Sequence, residues 1–219
     1  MASWMIHLRI ADQLLDQLDV QPTEFVVGNI ATDSGVPNED WSIFTPSYSI
    51  SHFKDETGNI NADHYAAQYF AAEQQRAYDH KQFSFYLGYL THLLTDQLWG
   101  SKIAKPTFSR YRDPSTGKCP IVDKIKDDWY DLDYLYLQNN PDFRAFRIYD
   151  NAAGFLNIYL DFFSADAFDN RRQYITWFYR QPNDHLHRDY PYLSARQADA
   201  FVEEASAEIL SLLKSKYFV

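Results

Sequence analysis

The segment from Lys81 to Trp99 constrains the fold most strongly, because it is apolar on nearly every side and still contains a histidine and an acid. Leucines and aromatic residues recur through it at helical spacing, and His92 and Asp96 interrupt them. A helix that is apolar all round lies in a protein interior, and a carboxylate buried there needs a partner. The segment therefore predicts a central, buried helix that carries a polar site.

The rest of the chain predicts an all-α fold. Only 7 of the 219 residues are Gly, and long segments have a period of 3.6 residues without the alternation of half-buried strands. In the first helix, Trp4 to Leu18, isoleucines and leucines recur every four residues. The other predicted helices are Ala62–Tyr78, Lys81–Trp99, Val122–Leu137, Phe143–Ile148, Ala153–Phe163, Ala167–Tyr179 and a last helix capped by Ser194 that runs to about Lys216.

Two segments are predicted to be irregular. The longer one, Gly28 to Asn61, carries several Gly and Pro, and loops of this length are uncommon in compact domains unless they are functional. The shorter one, Pro106 to Pro120, is interpreted as a loop within one domain. The length of 219 residues fits a single domain spanning residues 1–219.

Charge and cysteine content exclude several classes of partner and site. The formal net charge of -10 argues against binding to duplex DNA or to an anionic membrane by charge attraction. The single Cys119 excludes an intramolecular disulfide and a zinc site made of thiolates. The sequence shows no transmembrane helix and no secretory signal, so we expect a cytoplasmic location.

The most informative motif is His92-x-x-x-Asp96 in the central helix. Residues four apart lie one turn apart on the same face, so this imidazole and this carboxylate can bind one metal ion together. The alternative is a buried polar network without metal, in which Asp96 accepts a hydrogen bond from His92 or an arginine.

Three residues nearer the N-terminus are further candidates, each with an ordinary alternative. His7 lies among apolar residues of the first helix, where a histidine is often a hydrogen-bonded core residue. Asp33 lies in a turn-rich segment, where it can cap a loop. His52 lies in the predicted irregular segment, where a surface position is the alternative.

Together, these segments resemble the zinc-dependent phospholipase C family, which shares its helical fold with the fungal zinc nucleases. The pieces that carry the resemblance are MIHLRIAD, GNIATDSG, SHF and THLLTD, in the order and at separations comparable to the family's. They cover about the first hundred residues. The resemblance implies a helical bundle of the phospholipase C and zinc nuclease type.

The resemblance also implies roles for the candidate residues. Asp33, His52, His92 and Asp96 match ligands of one zinc, and His7 matches a ligand of a second zinc that shares Asp96. The residue matching Asp33 has a general-base role in the family as well. The family has two further histidines and a Glu soon after the motif, whereas this chain has no His between His92 and His185. We therefore expect one or two zinc ions, without the third site.

These observations predict a zinc-dependent phosphoester hydrolase that uses a metal-activated water. The expected substrate is a small phosphoester or a phospholipid headgroup. The alternative is a non-catalytic metal-binding or scaffold protein that keeps the fold and the ligands. Arg171, Arg172 and Lys54 are candidates for phosphate contact, although such residues more often form solvated ion pairs.

Overall fold

The computed structural model describes residues 1–40 and 42–218 and confirms the all-α prediction. The N-terminal half contains α1 (Trp4–Leu15), α2 (Pro22–Ala31), β1 (Val36–Pro37), β2 (Phe44–Thr45), α3 (Tyr48–Ser51), α4 (Ala62–Tyr69), α5 (Ala72–Ala77) and α6 (His80–Trp99). The C-terminal half contains a π-helical turn (Gly100–Ala104), α7 (Lys105–Arg110), α8 (Val122–Asn139), α9 (Arg144–Asn151), α10 (Ala167–Arg180), α11 (Ala195–Leu212) and a second π-helical turn (Leu213–Tyr217).

The helix α6 is the buried centre of the fold, as its apolar surface predicts. It starts with a capping box in which Asp79 and Gln82 each accept a backbone N–H of the other. From Ser84 to Asp96 every residue is buried, and the helices α1, α2, α4 and α11 pack around it. His92 and Asp96 are therefore held in the interior.

The outer helices form where the sequence offers caps and apolar faces. The first helix buries Ile6, Ile10 and Leu14, and ends at Leu15, earlier than predicted. The helix α11 begins with the predicted capping box of Ser194 and Gln197. Among the described residues, no helix combines the length and the apolar character needed to cross a bilayer.

The helix α2 has no counterpart in the sequence prediction, which treated the chain from Gly28 onward as irregular. Pro22 stands at its first position, where a missing N–H costs no hydrogen bond. The helix continues through Gly28 to Ala31, and only the chain after it is mostly irregular. The predicted irregular segment also includes Trp41, which lies outside the described residues.

The predicted helix Ala153–Phe163 is wrong, because one side chain organises this segment as a series of turns. The amide of Asn157 donates to the carbonyls of Leu160 and Phe163, at 2.6 and 2.9 Å. Its oxygen accepts the N–H groups of Tyr159 and Leu160. Such side-chain bonds compete with the helical pattern of the backbone.

Two smaller boundaries also differ from the prediction. The predicted helix Ala62–Tyr78 is two helices, because Gln74 accepts the N–H of Ala71 and starts a new helix there. The predicted loop from Pro106 to Pro120 starts later, since Lys105–Arg110 is helical.

Candidate metal centre

The site depends on a close crossing of α2 and α6 at two glycines. A Cβ atom on Gly28 would lie 2.2 Å from the carbonyl oxygen of Phe85, and one on Gly88 would lie 2.1 Å from that of Phe25. Real Cβ atoms do not approach so closely, so both positions require Gly. The crossing brings the end of α2, with Asn29 and the following Asp33, against the middle of α6.

His7 and Asp96 meet in this interior. His7 comes from α1, and its Nε2 lies 3.4 Å from Oδ1 of Asp96. His92 lies one turn before Asp96 on α6, with its Nε2 3.5 Å from Oδ2 of the same carboxylate. The imidazole rings of His7 and His92 stack with their centroids 3.8 Å apart. All three side chains are excluded from solvent.

Asp33 and His52 complete the cluster from the segment between α2 and α4. His52 Nε2 lies 3.3 Å from Oδ1 of Asp33 and 3.7 Å from Oδ2 of Asp96. The His52 ring stacks on Tyr48, with centroids 3.8 Å apart. The structure therefore brings all five sequence-predicted site residues together.

Backbone and hydroxyl groups fix the orientations of two imidazoles. Nδ1 of His92 lies 2.7 Å from the carbonyl oxygen of Asn29. Because a carbonyl only accepts hydrogen bonds, this Nδ1 is protonated, and Nε2 carries the free lone pair. Nδ1 of His52 lies 3.0 Å from Oγ of Ser51. Metal-binding histidines are typically oriented by such contacts.

Two contacts to the carboxylates come from the N-terminal residues, and the sequence analysis missed both. The backbone N–H of Ala2 donates to Oδ1 of Asp96 at 2.8 Å. The indole Nε1–H of Trp4 donates to Oδ2 of Asp33 at 2.9 Å. No spacing in the sequence signals either contact, because the partners are separated by 94 and 29 residues.

The cluster contains buried polar atoms that have no hydrogen-bond partner among the described residues. They are both ring nitrogens of His7, Nε2 of His52, Nε2 of His92 and Oδ2 of Asp96. Buried polar groups are almost always paired, so unpaired ones need an explanation. Imidazole nitrogens and carboxylate oxygens are the donors that zinc binds, and the residues present therefore fit this metal.

The surroundings of His7, His52 and Asp96 favour the protonation states of metal ligands. Burial and the neighbouring His92 lower the pKa of His7 to about 4. Burial likewise lowers the pKa of His52. Burial alone would raise the pKa of Asp96, but the contacts with His7 and His92 hold it well below its ordinary value. Neutral imidazole and ionised carboxylate are the forms that bind metal.

The pKa values of Asp33 and His92 are set by the same two effects, burial and neighbouring charge. Burial opposes ionisation of Asp33, but the close contact with His52 and the charges of the histidines lower its pKa. Burial opposes protonation of His92, whereas the close contact with Asp96 and the charge of Asp33 raise its pKa.

The donor atoms form two close groups that share His92. His7, His92 and Asp96 make one group, and Asp33, His52 and His92 make the other, with all atoms of a group within 4.8 Å. The resemblance implied a shared Asp96, whose Oδ2 also lies 3.5 Å from Nε2 of His92 and 3.7 Å from Nε2 of His52. Since His92 has a single free nitrogen, it can ligate one ion only.

The histidines outside the predicted ligand set lie away from this cluster. His64 is exposed near the start of α4, where the Asn61 side chain accepts its backbone N–H. His185 and His187 are exposed, in the segment between α10 and α11.

Residues 6–99 match the family model of zinc dependent phospholipase C. This confirms the resemblance drawn from the sequence motifs. No curated protein and no solved structure gives a significant match to the chain.

The part that matches zinc dependent phospholipase C holds all five clustered residues but only part of their surroundings. A cavity of about 260 Å³ lies beside the cluster and is lined by Asp33, Thr32 and Tyr48 from the matched part. Its other wall includes Tyr130 of α8 and Arg171 of α10, outside the match. Of the five clustered residues, only Asp33 lines this cavity.

Proposed function

We propose that this protein is a metal-dependent phosphoester hydrolase similar to phospholipase C, with zinc held by His7, Asp33, His52, His92 and Asp96. The observation that carries the proposal is the cluster itself: three imidazoles and two carboxylates converge, and five of their buried atoms have no hydrogen-bond partner among the described residues. One or two ions are proposed, as in the sequence analysis.

The metal, when bound, supplies a hydroxide-like water near neutral pH and neutralises charge on the phosphoryl oxygens. The residues of the chain do the rest. Asn29 and Ser51 orient His92 and His52, and the N–H of Trp4 fixes one oxygen of Asp33. The other Asp33 oxygen, which lies 3.3 Å from Nε2 of His52, would orient or deprotonate a water in the adjoining cavity, which makes Asp33 the proposed general base.

The proposed substrate is a small phosphoester, either a free phosphodiester or a phospholipid headgroup. The match to zinc dependent phospholipase C supports this class. The acidic net charge favours a free phosphodiester over an anionic lipid surface.

One observation favours the alternative of a non-catalytic metal-binding protein. His7, His92 and Asp96 are fully enclosed, as the ligands of structural zinc sites are. The catalytic and the structural proposals make different demands at Asp33. A catalytic zinc site needs an open coordination position that faces the cavity, whereas a structural zinc site does not.

The test is hydrolysis of an activated aryl phosphodiester by zinc-loaded protein. We expect Asp33→Asn to reduce kcat by about 10²-fold or more, because the amide cannot accept a proton. The amide oxygen can still accept the Trp4 N–H, so the unfolding temperature should change little. Asp19→Asn, at an almost fully exposed carboxylate, is the matched control.

Two outcomes would count against the proposal. Full activity in Asp33→Asn would refute the role of that residue. Zinc-loaded wild-type protein that is inactive on a broad panel of phosphoesters would favour the scaffold.

A further inference from the structure

Arg171 is a buried arginine at the cavity beside the cluster. It comes from α10, outside the residues that match the family model, and only 8% of its surface is exposed. Its side chain lines the same cavity of about 260 Å³ as Asp33. One guanidinium nitrogen donates to the carbonyl of Gly35 at 2.7 Å, which holds the group at the cavity wall.

Aromatic rings fix the other side of this guanidinium. Its central carbon lies 5.6 Å from the ring centre of Tyr174 and 6.0 Å from that of Trp4. These distances permit cation–π attraction. Trp4 in turn donates to Asp33, so the arginine and the proposed general base are held by one connected set of contacts.

Among the described residues, no carboxylate lies within ion-pairing distance of Arg171. The neighbouring Arg172 shows the ordinary arrangement, with Nε 2.8 Å from Oδ1 of Asp169. Removing a charge from water is costly unless an opposite charge compensates it. Arg171 has five N–H donors, and only one of them has a hydrogen-bond acceptor among the described residues, the Gly35 carbonyl. A buried cation with free donors on a cavity wall is prepared for an anion.

We propose that Arg171 binds the phosphoryl group of the substrate in this cavity, beside the metal cluster. The inference rests on the proposed function, and it adds a binding residue for that site. A planar guanidinium donates two parallel hydrogen bonds to phosphoryl oxygens, and a buried one binds them more strongly than a solvated lysine. The cavity has Asp33 and Arg171 on its walls, so an anion held by Arg171 shares the cavity with the proposed general base.

The test uses inorganic phosphate as the probe and titration calorimetry on the full chain, with and without zinc. We expect Arg171→Gln to weaken phosphate binding at least about tenfold, because a charge-assisted pair of hydrogen bonds is lost. Arg171→Lys keeps the charge without the planar geometry, so its phosphate affinity should lie between those of wild type and Arg171→Gln. Arg172→Gln removes an arginine from the same helix and should leave the phosphate affinity unchanged.

Turnover separates this inference from the proposed function. If the protein hydrolyses the aryl phosphodiester, Arg171→Lys should raise KM more than it lowers kcat. If the protein binds phosphate through Arg171 but hydrolyses no ester, the inference about Arg171 holds and the proposed function is refuted. Active protein whose phosphate affinity and KM are the same in wild type and Arg171→Lys would overturn the inference alone. If Arg171→Gln does not fold, the phosphate affinity and KM of Arg171→Lys decide whether the inference holds.

Discussion

Asp96 illustrates how a single residue can hold a site together. Its two carboxylate oxygens lie near three imidazoles. The backbone N–H of Ala2 donates to one of these oxygens, Oδ1. The other oxygen is buried without a described hydrogen-bond partner. A carboxylate in this position is stable only if a positive charge accompanies it, from either protons on the histidines or a metal ion.

Metal content should therefore depend on Asp96. Wild-type protein purified without chelator should contain zinc, and Asp96→Asn should lose most of it, as measured by mass spectrometry of the metal. Removing zinc should lower wild-type stability by about 2.7 kcal/mol under conditions where zinc is at 100 times its Kd.

His64→Ala is the control. It changes an exposed histidine that lies between His52 and His92 in the chain, and it should keep the wild-type zinc content. Wild-type protein without zinc, whose unfolding temperature does not respond to chelator, would instead support a metal-free polar network.

Asp133 is a second buried carboxylate, outside the cluster, and it predicts a pH effect on stability. It accepts hydrogen bonds from Ser3 at 2.8 Å and Tyr179 at 2.6 Å, and burial raises its pKa from 3.8 to about 7. Between these values the folded state keeps the carboxyl neutral while the unfolded state ionises it. The Asp133 contribution therefore destabilises the fold as pH rises from about 4 to about 7.

Asp133→Asn removes this titration. Denaturant unfolding of zinc-free protein should show the variant gaining stability relative to wild type across that interval, by at most about 1.4 kcal/mol per pH unit. The comparison cancels the histidines, which titrate in both proteins. A difference that stays constant with pH would show that Asp133 is not neutral in the folded state.

At the scale of elements, the crossing of α2 and α6 decides the geometry of the site. The two helices approach so closely at Gly28 and Gly88 that neither position has room for a Cβ atom. The carbonyl of Asn29 reaches His92 only because of this approach. The helices thus act as a rigid frame for ligands that are far apart in sequence.

Gly88→Ala should separate these helices. We expect a loss of roughly 3 kcal/mol in the free energy of unfolding, because the new methyl group meets backbone atoms that cannot move aside. Zinc affinity, measured by competition with a chromogenic chelator, should fall as well. Gly100→Ala is the matched control: its Cβ would meet nothing within 4 Å, and helical backbone there should make Ala neutral or stabilising by up to about 1 kcal/mol. Equal stability of the two variants would contradict the role of the crossing.

At the scale of the molecule, the C-terminal helix supports the helices that carry the ligands. The helix α11 packs on α1 and α6, with Phe201 edge-on against Trp99 at 4.9 Å between ring centres. Arg9 of α1 also pairs with Asp199 at 2.5 Å. We propose that residues 1–219 form one domain, as their length predicts.

One domain implies one unfolding transition. Phe201→Ala should lower the unfolding free energy by roughly 3–5 kcal/mol. Calorimetry should show that zinc raises the unfolding temperature of this same transition. Ile158→Ala removes a side chain that is 81% exposed and should have little effect. Two separate transitions, with only one of them sensitive to zinc, would indicate two domains.

Helical periodicity and local capping boxes were readable from the sequence, whereas features set by side-chain bonds in turns or by helix crossings were not. The buried central helix follows from its apolar surface, and the start of α11 follows from the Ser194 capping box. The predicted helix Ala153–Phe163 failed because Asn157 bonds four backbone groups around it. The helix α2 was missed because its Gly28, which suggests a loop in a sequence, serves a helix crossing.

The sequence by itself determined the all-α fold and the types of donor at the site, because helical periodicity and the spacing of His92 and Asp96 are local properties of the chain. Tertiary structure alone decided that His92 is shared by two donor groups, that Trp4 contacts Asp33, and that Arg171 lies at the cavity without a carboxylate partner among the described residues. These arrangements depend on how distant helices pack, and packing distances of a few ångströms leave no pattern along the chain.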